Sequence, residues 1–117
     1  MPESELRKLT EKLLAFRNAR DWKQFHNPKD LAIALSIEAA ELQEIFLWKK
    51  PEEVAKVLSG KQIEIRDELA DIASFLLLLC HELDVDLTEA VTAKIEKNAT
   101  KYPVEKAKGR HAKYDEL

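Results

Sequence analysis

The sequence predicts an all-α fold: four long helices plus a short one, a helical bundle completed by oligomerisation. Three observations predict it. Apolar residues recur at helical spacing along the whole chain. No alternating apolar-polar run bounded by Gly or Asn-Gly turns occurs. The 117 residues include only two glycines and four prolines, so long helices run uninterrupted.

Each element follows from local chemistry. Ser4 caps a first helix whose stripe is Leu6, Leu9, Leu13 and Phe16. Residues 21–27 are irregular and carry Trp22, Phe25 and His26. Asn27-Pro28 starts a second helix, with Asn as cap and Pro in the first turn. Its inner face is Leu31, Leu35, Leu42, Ile45 and Phe46, and it is expected to stop near Lys50, before Pro51. Residues 52–58 predict a short helix closed by Ser59-Gly60. A third long helix spans about 61–83; its middle, Leu69 to Cys80, is apolar nearly all round and therefore requires an oligomer interface to cover it. Asp86 starts the fourth long helix with Glu89 as the second half of a capping box, and Tyr102-Pro103 ends it. Residues 1–103 are expected to form one helical domain. Residues 104–117 form a charged tail, ordered only by a ligand or a partner.

Composition narrows the function. Hydrophobic residues are 45% and charged residues 35%, which suits one globular domain and is too apolar for disorder. A net charge of −3 disfavours nonspecific binding to a nucleic acid polymer. No apolar run approaches the ~20 residues of a membrane span, and the first 12 residues do not read as a signal peptide. The single cysteine, Cys80, lies in an apolar run and reads as core. These features set an expectation of a cytoplasmic protein with no membrane partner.

The residues that carry chemistry are two acidic pairs, Glu38-Ala-Ala-Glu41 and Glu68-Leu-Ala-Asp71. Residues three apart on a helix share a face, and Glu38 falls in register with Leu31, Leu35, Leu42 and Ile45. Antiparallel packing of the second and third long helices would bring four carboxylates together. At an effective dielectric of about 20, two like charges roughly 6 Å apart repel by about 3 kcal/mol. A cation or protonation must relieve that. An all-oxygen donor set suits Mg2+, with Mn2+ also fitting. A carboxylate-bridged di-iron site needs Glu-x-x-His pairs, and none of His26, His81 or His111 follows a Glu at that spacing. Acidic pairs are also common on solvated helix faces, and a non-enzymatic helical oligomerisation module remains open at this point. Glu44, Glu64 and Asp67 lie nearby as further ligands or as exposed helix residues. Lys94, Asn98 and Tyr102 recur every four residues on one helix face, which reads either as a solvated edge or as a surface for phosphate, sugar and base. Trp22 and Trp48 are core residues or stacking platforms. His26 caps its loop or reaches a ligand.

The runs Glu38-Ala-Ala-Glu41-Leu-Gln-Glu-Ile-Phe-Leu-Trp48, Asp67-Glu-Leu-Ala-Asp71 and Lys94-Ile-Glu-Lys-Asn98-Ala-Thr-Lys-Tyr102-Pro103 resemble the all-α nucleotide pyrophosphohydrolases of the MazG type. The segments 20–28 and 103–109 resemble the small dCTP pyrophosphatase branch. One departure is Ile37, where the broader pattern has a first glutamate. The resemblance implies Mg2+-dependent hydrolysis of a nucleoside triphosphate, dCTP or a modified dCTP, to the monophosphate and pyrophosphate. The alternative substrates are dUTP and damaged-purine triphosphates. It also implies a homo-oligomer, a tetramer built as a dimer of dimers. Glu38, Glu41, Glu68 and Asp71 are then metal ligands, with Glu41 and Glu38 catalytic and Glu41 preferred for activating water. Trp22, His26, Trp48, Lys94, Asn98 and Tyr102 are expected to bind substrate. Lys108, Arg110 and Lys113 either close over the phosphates or stay disordered without ligand.

Overall fold

The computed structural model describes residues 4–117, and among them the chain is helical with no strand. It forms two compact units, one running to Asp84 and one from Val85 to Leu117.

In the first unit α1 spans Glu5–Ala19, capped by Ser4, whose hydroxyl accepts from the Arg7 N–H at 3.1 Å. The least exposed positions of α1 are Leu6, Thr10, Leu13, Leu14 and Arg17, not the Leu9 and Phe16 of the expected stripe. Phe16 is 50% exposed while Arg17 is 2% exposed. The reason is an ion pair: Arg17 Nη2 lies 2.6 Å from Glu82 Oε1 at the far end of the unit's last helix. That pull turns the face of α1. The approach is close but lacks hydrogen-bond geometry at Glu82 Oε1, and Arg17 Nε and Nη1 are buried without partners.

Asp21 turns the chain at a left-handed φ of 56°, a conformation Asp tolerates. One 3-10 turn, Lys23–Phe25, leads to α2, Pro28–Phe46. The Asn27 side chain accepts from the Asp30 N–H at 2.9 Å, as the Asn-Pro start signal predicts. Helix α2 stops at Phe46, about one turn before the expected end near Lys50. Lys50 precedes Pro51 and takes an extended ψ of 154°. The chain leaves the helix early to reach that conformation, through Trp48 at a left-handed φ of 65°.

A 3-10 turn, Pro51–Glu53, opens α3, Val54–Gly60, and a single non-helical residue, Lys61, separates it from α4, Gln62–Glu82. Helix α4 packs mainly on α2 and less on α1. The pair is antiparallel: Glu68, early in α4, meets Glu38 and Glu41 in the second half of α2, and Lys61, just before α4, lines one cavity with Ile45 near the end of α2. Leu31, Leu77 and Leu78 are the buried apolar side chains among the described residues. Cys80 on α4 is a half-buried free thiol, and desolvation pushes its pKa up. No helix among the described residues is long and apolar enough to cross a membrane.

In the second unit α5 spans Leu87–Lys101. The Asp86 carboxylate accepts from the Glu89 N–H at 3.1 Å, which forms the Asp86 half of the expected capping box. The tail holds one helical turn, α6, Val104–Ala107, and a 3-10 turn, Tyr114–Glu116. Gly109 lies between them at φ 77°. The Tyr114 ring meets Tyr102 edge-on, centroids 6.2 Å apart, and Lys101 Nζ sits 4.8 Å from its centroid. These two contacts tie the tail back to the end of α5.

Candidate metal centre and nucleotide cleft

The periodicity of α2 and α4 explains why carboxylates face one another between them. On α2 the less exposed positions are Leu31, Ala34, Leu35, Glu38, Glu41, Leu42, Ile45 and Phe46. On α4, Glu68 lies between Ile65 and Ile72 on the covered side. All three glutamates therefore occupy positions a hydrophobic residue would ordinarily fill. One oxygen each from Glu38, Glu41 and Glu68 comes within 4.8 Å of the others. Glu38 Oε2 and Glu68 Oε2 are buried and have no hydrogen-bond partner.

This crowding shows in the protonation. Desolvation, first, then a hydrogen bond to Glu68 and the proximity of Glu41 and Asp71, push Glu38 up to about 7. Glu68 is raised as well, mainly by desolvation, although accepting a hydrogen bond from Glu38 opposes the rise. Without an ion, the raised pKa keeps a proton on Glu38 toward neutrality and relieves part of the charge. Asp71 is exposed, one turn along α4. It stands outside the tight group of three, yet its charge reaches both glutamates.

A cleft of about 580 Å³ opens beside these carboxylates, lined by Glu41, Glu44, Ile45, Leu47, Lys49, Lys61, Glu64 and Glu68. Glu44 and Glu64, named from sequence as neighbours, thus face the same space. Lys49 and Lys61 were not anticipated. Lys61, Glu64 and Glu68 follow i, i+3, i+7 spacing, a signal the sequence did carry. Lys49 lies beyond the end of α2 at Phe46, just after the left-handed Trp48.

The remaining sequence candidates lie elsewhere. Trp48 is 90% exposed on the turn after α2. Trp22 packs edge-on against Phe16 at 5.8 Å between centroids. His26 is half-buried with Nδ1 unpartnered. Desolvation and the Arg17 charge lower its pKa, against an opposing pull from Glu82. His26 and Trp22 precede α2, which starts at Pro28, ten residues or about 15 Å before Glu38. Neither residue lines the cleft beside the carboxylates. Lys94, Asn98 and Tyr102 belong to α5 and its cap in the second unit, all three exposed.

A family model described as the MazG-like family matches residues 33–117. The dCTP pyrophosphatase 1 of Bos taurus is 38% identical over 87% of this chain, and that of Mus musculus is 35% identical over 99%. The chain spans 62% and 69% of the lengths of these two relatives. The crystal structure of a pyrophosphatase from Archaeoglobus fulgidus superposes with a TM-score of 0.82 at 40% identity. That match covers 88% of this chain and 96% of the other.

Proposed function

This chain belongs to the MazG-like family, and we propose that it is a nucleoside triphosphate pyrophosphohydrolase acting on dCTP or a modified dCTP. The carrying observation is the meeting of Glu38, Glu41 and Glu68 oxygens within 4.8 Å, two of those carboxylates each with a buried, unpartnered oxygen. Uncompensated oxygens of one sign, with no histidine or cysteine among them, fit a hard divalent cation. Glu38, Glu41 and Glu68 hold it, with Asp71 beside them, and Mg2+ is the ion, with Mn2+ as the substitute. When bound, the ion supplies charge neutralisation for the triphosphate and polarises a phosphoryl oxygen.

The chain's own residues do the rest. Glu41 belongs to the carboxylate group and also lines the open cleft. It orients a water molecule toward the α-phosphorus and takes a proton as attack begins. The new bond is from water oxygen to the α-phosphorus. The bond that breaks joins the α-phosphorus to the α,β-bridging oxygen, and pyrophosphate leaves. Glu38, deeper between the helices, fixes the geometry of Glu41 and Glu68. Trp48, beside the cleft wall formed by Leu47 and Lys49, stacks on base or sugar. Trp22 and His26 reach the nucleotide from a second copy. Lys94, Asn98 and Tyr102, on α5 and its cap, are assigned to substrate binding by the family resemblance alone. A homo-oligomer, assembled as a tetramer of paired dimers in the cytoplasm, supplies those second copies. The exposed apolar side chains Ile33, Ile37 and Leu69 support that assembly.

Product analysis of each deoxynucleoside triphosphate with Mg2+ is the direct test. Pyrophosphate and dCMP from dCTP are expected. Equal-concentration competition ranks dCTP against dUTP and oxidised purine triphosphates. Release of no pyrophosphate from any of them overturns the reading.

A further inference from the structure

The cleft poses a charge problem that the metal centre does not solve. Its lining includes Glu41, Glu44, Glu64 and Glu68, and Glu38 and Asp71 stand behind them. A triphosphate carries several negative charges along its length. A divalent cation at one end leaves the far phosphates facing carboxylates. The cations in this lining are Lys49 and Lys61. The same two residues also line an adjoining cavity of about 220 Å³, with Lys56 on its wall and Ile45 and Val57 as apolar floor. Glu53 is the one carboxylate of that second cavity. The charge of the surroundings therefore changes from acidic to basic along one continuous space, with Lys49 and Lys61 at the change.

Two features show that these ammonium groups are free to take a ligand. None of Lys49, Lys56 or Lys61 makes an ion pair within 4.0 Å among the described residues, despite the nearby glutamates. Lys49 is also delivered by the strained turn. It follows the left-handed Trp48 and shares the wall of the second cavity with Ile45 and Lys61. Lys61 sits seven residues before Glu68, about 10 Å along α4. The combined reach of a metal-bound triphosphate and a lysine side chain spans that gap.

We propose that Lys49 and Lys61 bind the terminal phosphates of the substrate, and the pyrophosphate that leaves, at the mouth of the lysine-lined cavity. The inference rests on the pyrophosphohydrolase reading, and it explains how one site separates the two products. The nucleoside monophosphate stays at the carboxylate end, and pyrophosphate is held at the basic end.

The test is titration calorimetry of inorganic pyrophosphate with Mg2+ into the full chain. Binding by the wild type is expected. Lys49→Gln and Lys61→Gln should each weaken it about tenfold, or about 1.4 kcal/mol. Lys49→Arg should restore binding, and Lys56→Gln should have a smaller effect because it lines only the second cavity. With dCTP, the two Gln variants should raise KM more than they lower kcat. Unchanged pyrophosphate affinity in both Gln variants, or no binding by the wild type, overturns the inference. Neither result bears on whether the wild type cleaves dCTP, which product analysis decides separately.

Discussion

Glu38 and Arg17 are charged side chains placed where apolar ones are the rule, and they differ in how the charge is managed. Glu38 is raised from 4.5 to about 7. Between those values the folded state holds a proton that the unfolded state has released. Stability of the metal-free protein therefore falls as pH climbs from about 4.5 to 7, and the loss is complete above 7. Glu68 shifts in the same direction and adds to the slope, and desolvation drives both, with the Glu41 and Asp71 charges adding to it. Melting temperature in EDTA should decline across this window, and Mg2+ should recover it at pH 8. Glu38→Gln should flatten the decline while abolishing turnover. A melting temperature in EDTA that rises across the window would contradict the assignment. Arg17 is managed by Glu82 instead. Removing only the partner, as in Glu82→Leu, strands a buried guanidinium and should cost about 3 kcal/mol in urea unfolding. The double variant Arg17→Met/Glu82→Leu should recover most of that, since burying a charge pair costs about what it returns. If the double variant is as unstable as the single, desolvation is not the dominant cost. Glu38 was legible from sequence because a carboxylate in register with Leu31 and Leu35 violates a local pattern. Arg17 was not, because nothing near it in the chain announces Glu82, sixty-five residues later.

At the scale of elements, starts were more legible than ends. Ser4, Asn27 and Asp86 each accept from the backbone N–H three residues on, as their cap signals predict. The end of α2 was misjudged by a turn because Pro51 acts at a distance, through the extended Lys50. That early end has a measurable cost. A tryptophan at φ 65° is strained by roughly 1–2 kcal/mol relative to glycine. Trp48 is nearly fully exposed, so it recovers little through burial. Trp48→Gly should raise stability by about 1 kcal/mol in urea unfolding while weakening dCTP binding. Lower stability in this variant would mean that the indole holds the turn in place. The facing carboxylates depend on the same helix pair, and their convergence followed from antiparallel packing of two stripes. The cleft lysines did not, since Lys49 lies beyond the end of α2 and Lys61 in the break before α4.

For the molecule as a whole, the apolar inventory exceeds what one copy covers. Leu69 is 53% exposed, and Ile33 and Ile37 stand half in solvent on α2. On α5, Val91 and Ile95 are exposed as well. Three buried leucines among the described residues make a thin core against the chain entropy of a domain this size. The proposed oligomer closes that gap. Sedimentation equilibrium should find no monomer at micromolar concentration, and Ile37→Glu/Leu69→Glu should give a monomeric, less stable chain. A monomeric wild type of unchanged stability on dilution would defeat this. The all-round apolar character of residues 69–80 was readable in the sequence. Which of its sides another copy covers was not, because a single chain does not encode a neighbour's position.

Cys80 has a practical consequence. With its sulfur half-shielded and its ionisation suppressed, the resident thiol reacts slowly with alkylating or maleimide reagents near neutrality. A second cysteine introduced on an open surface, such as the Gly109 bend, would capture a fluorophore almost alone. The native background is therefore quiet enough for site-specific labelling to follow the tail while nucleotide is added.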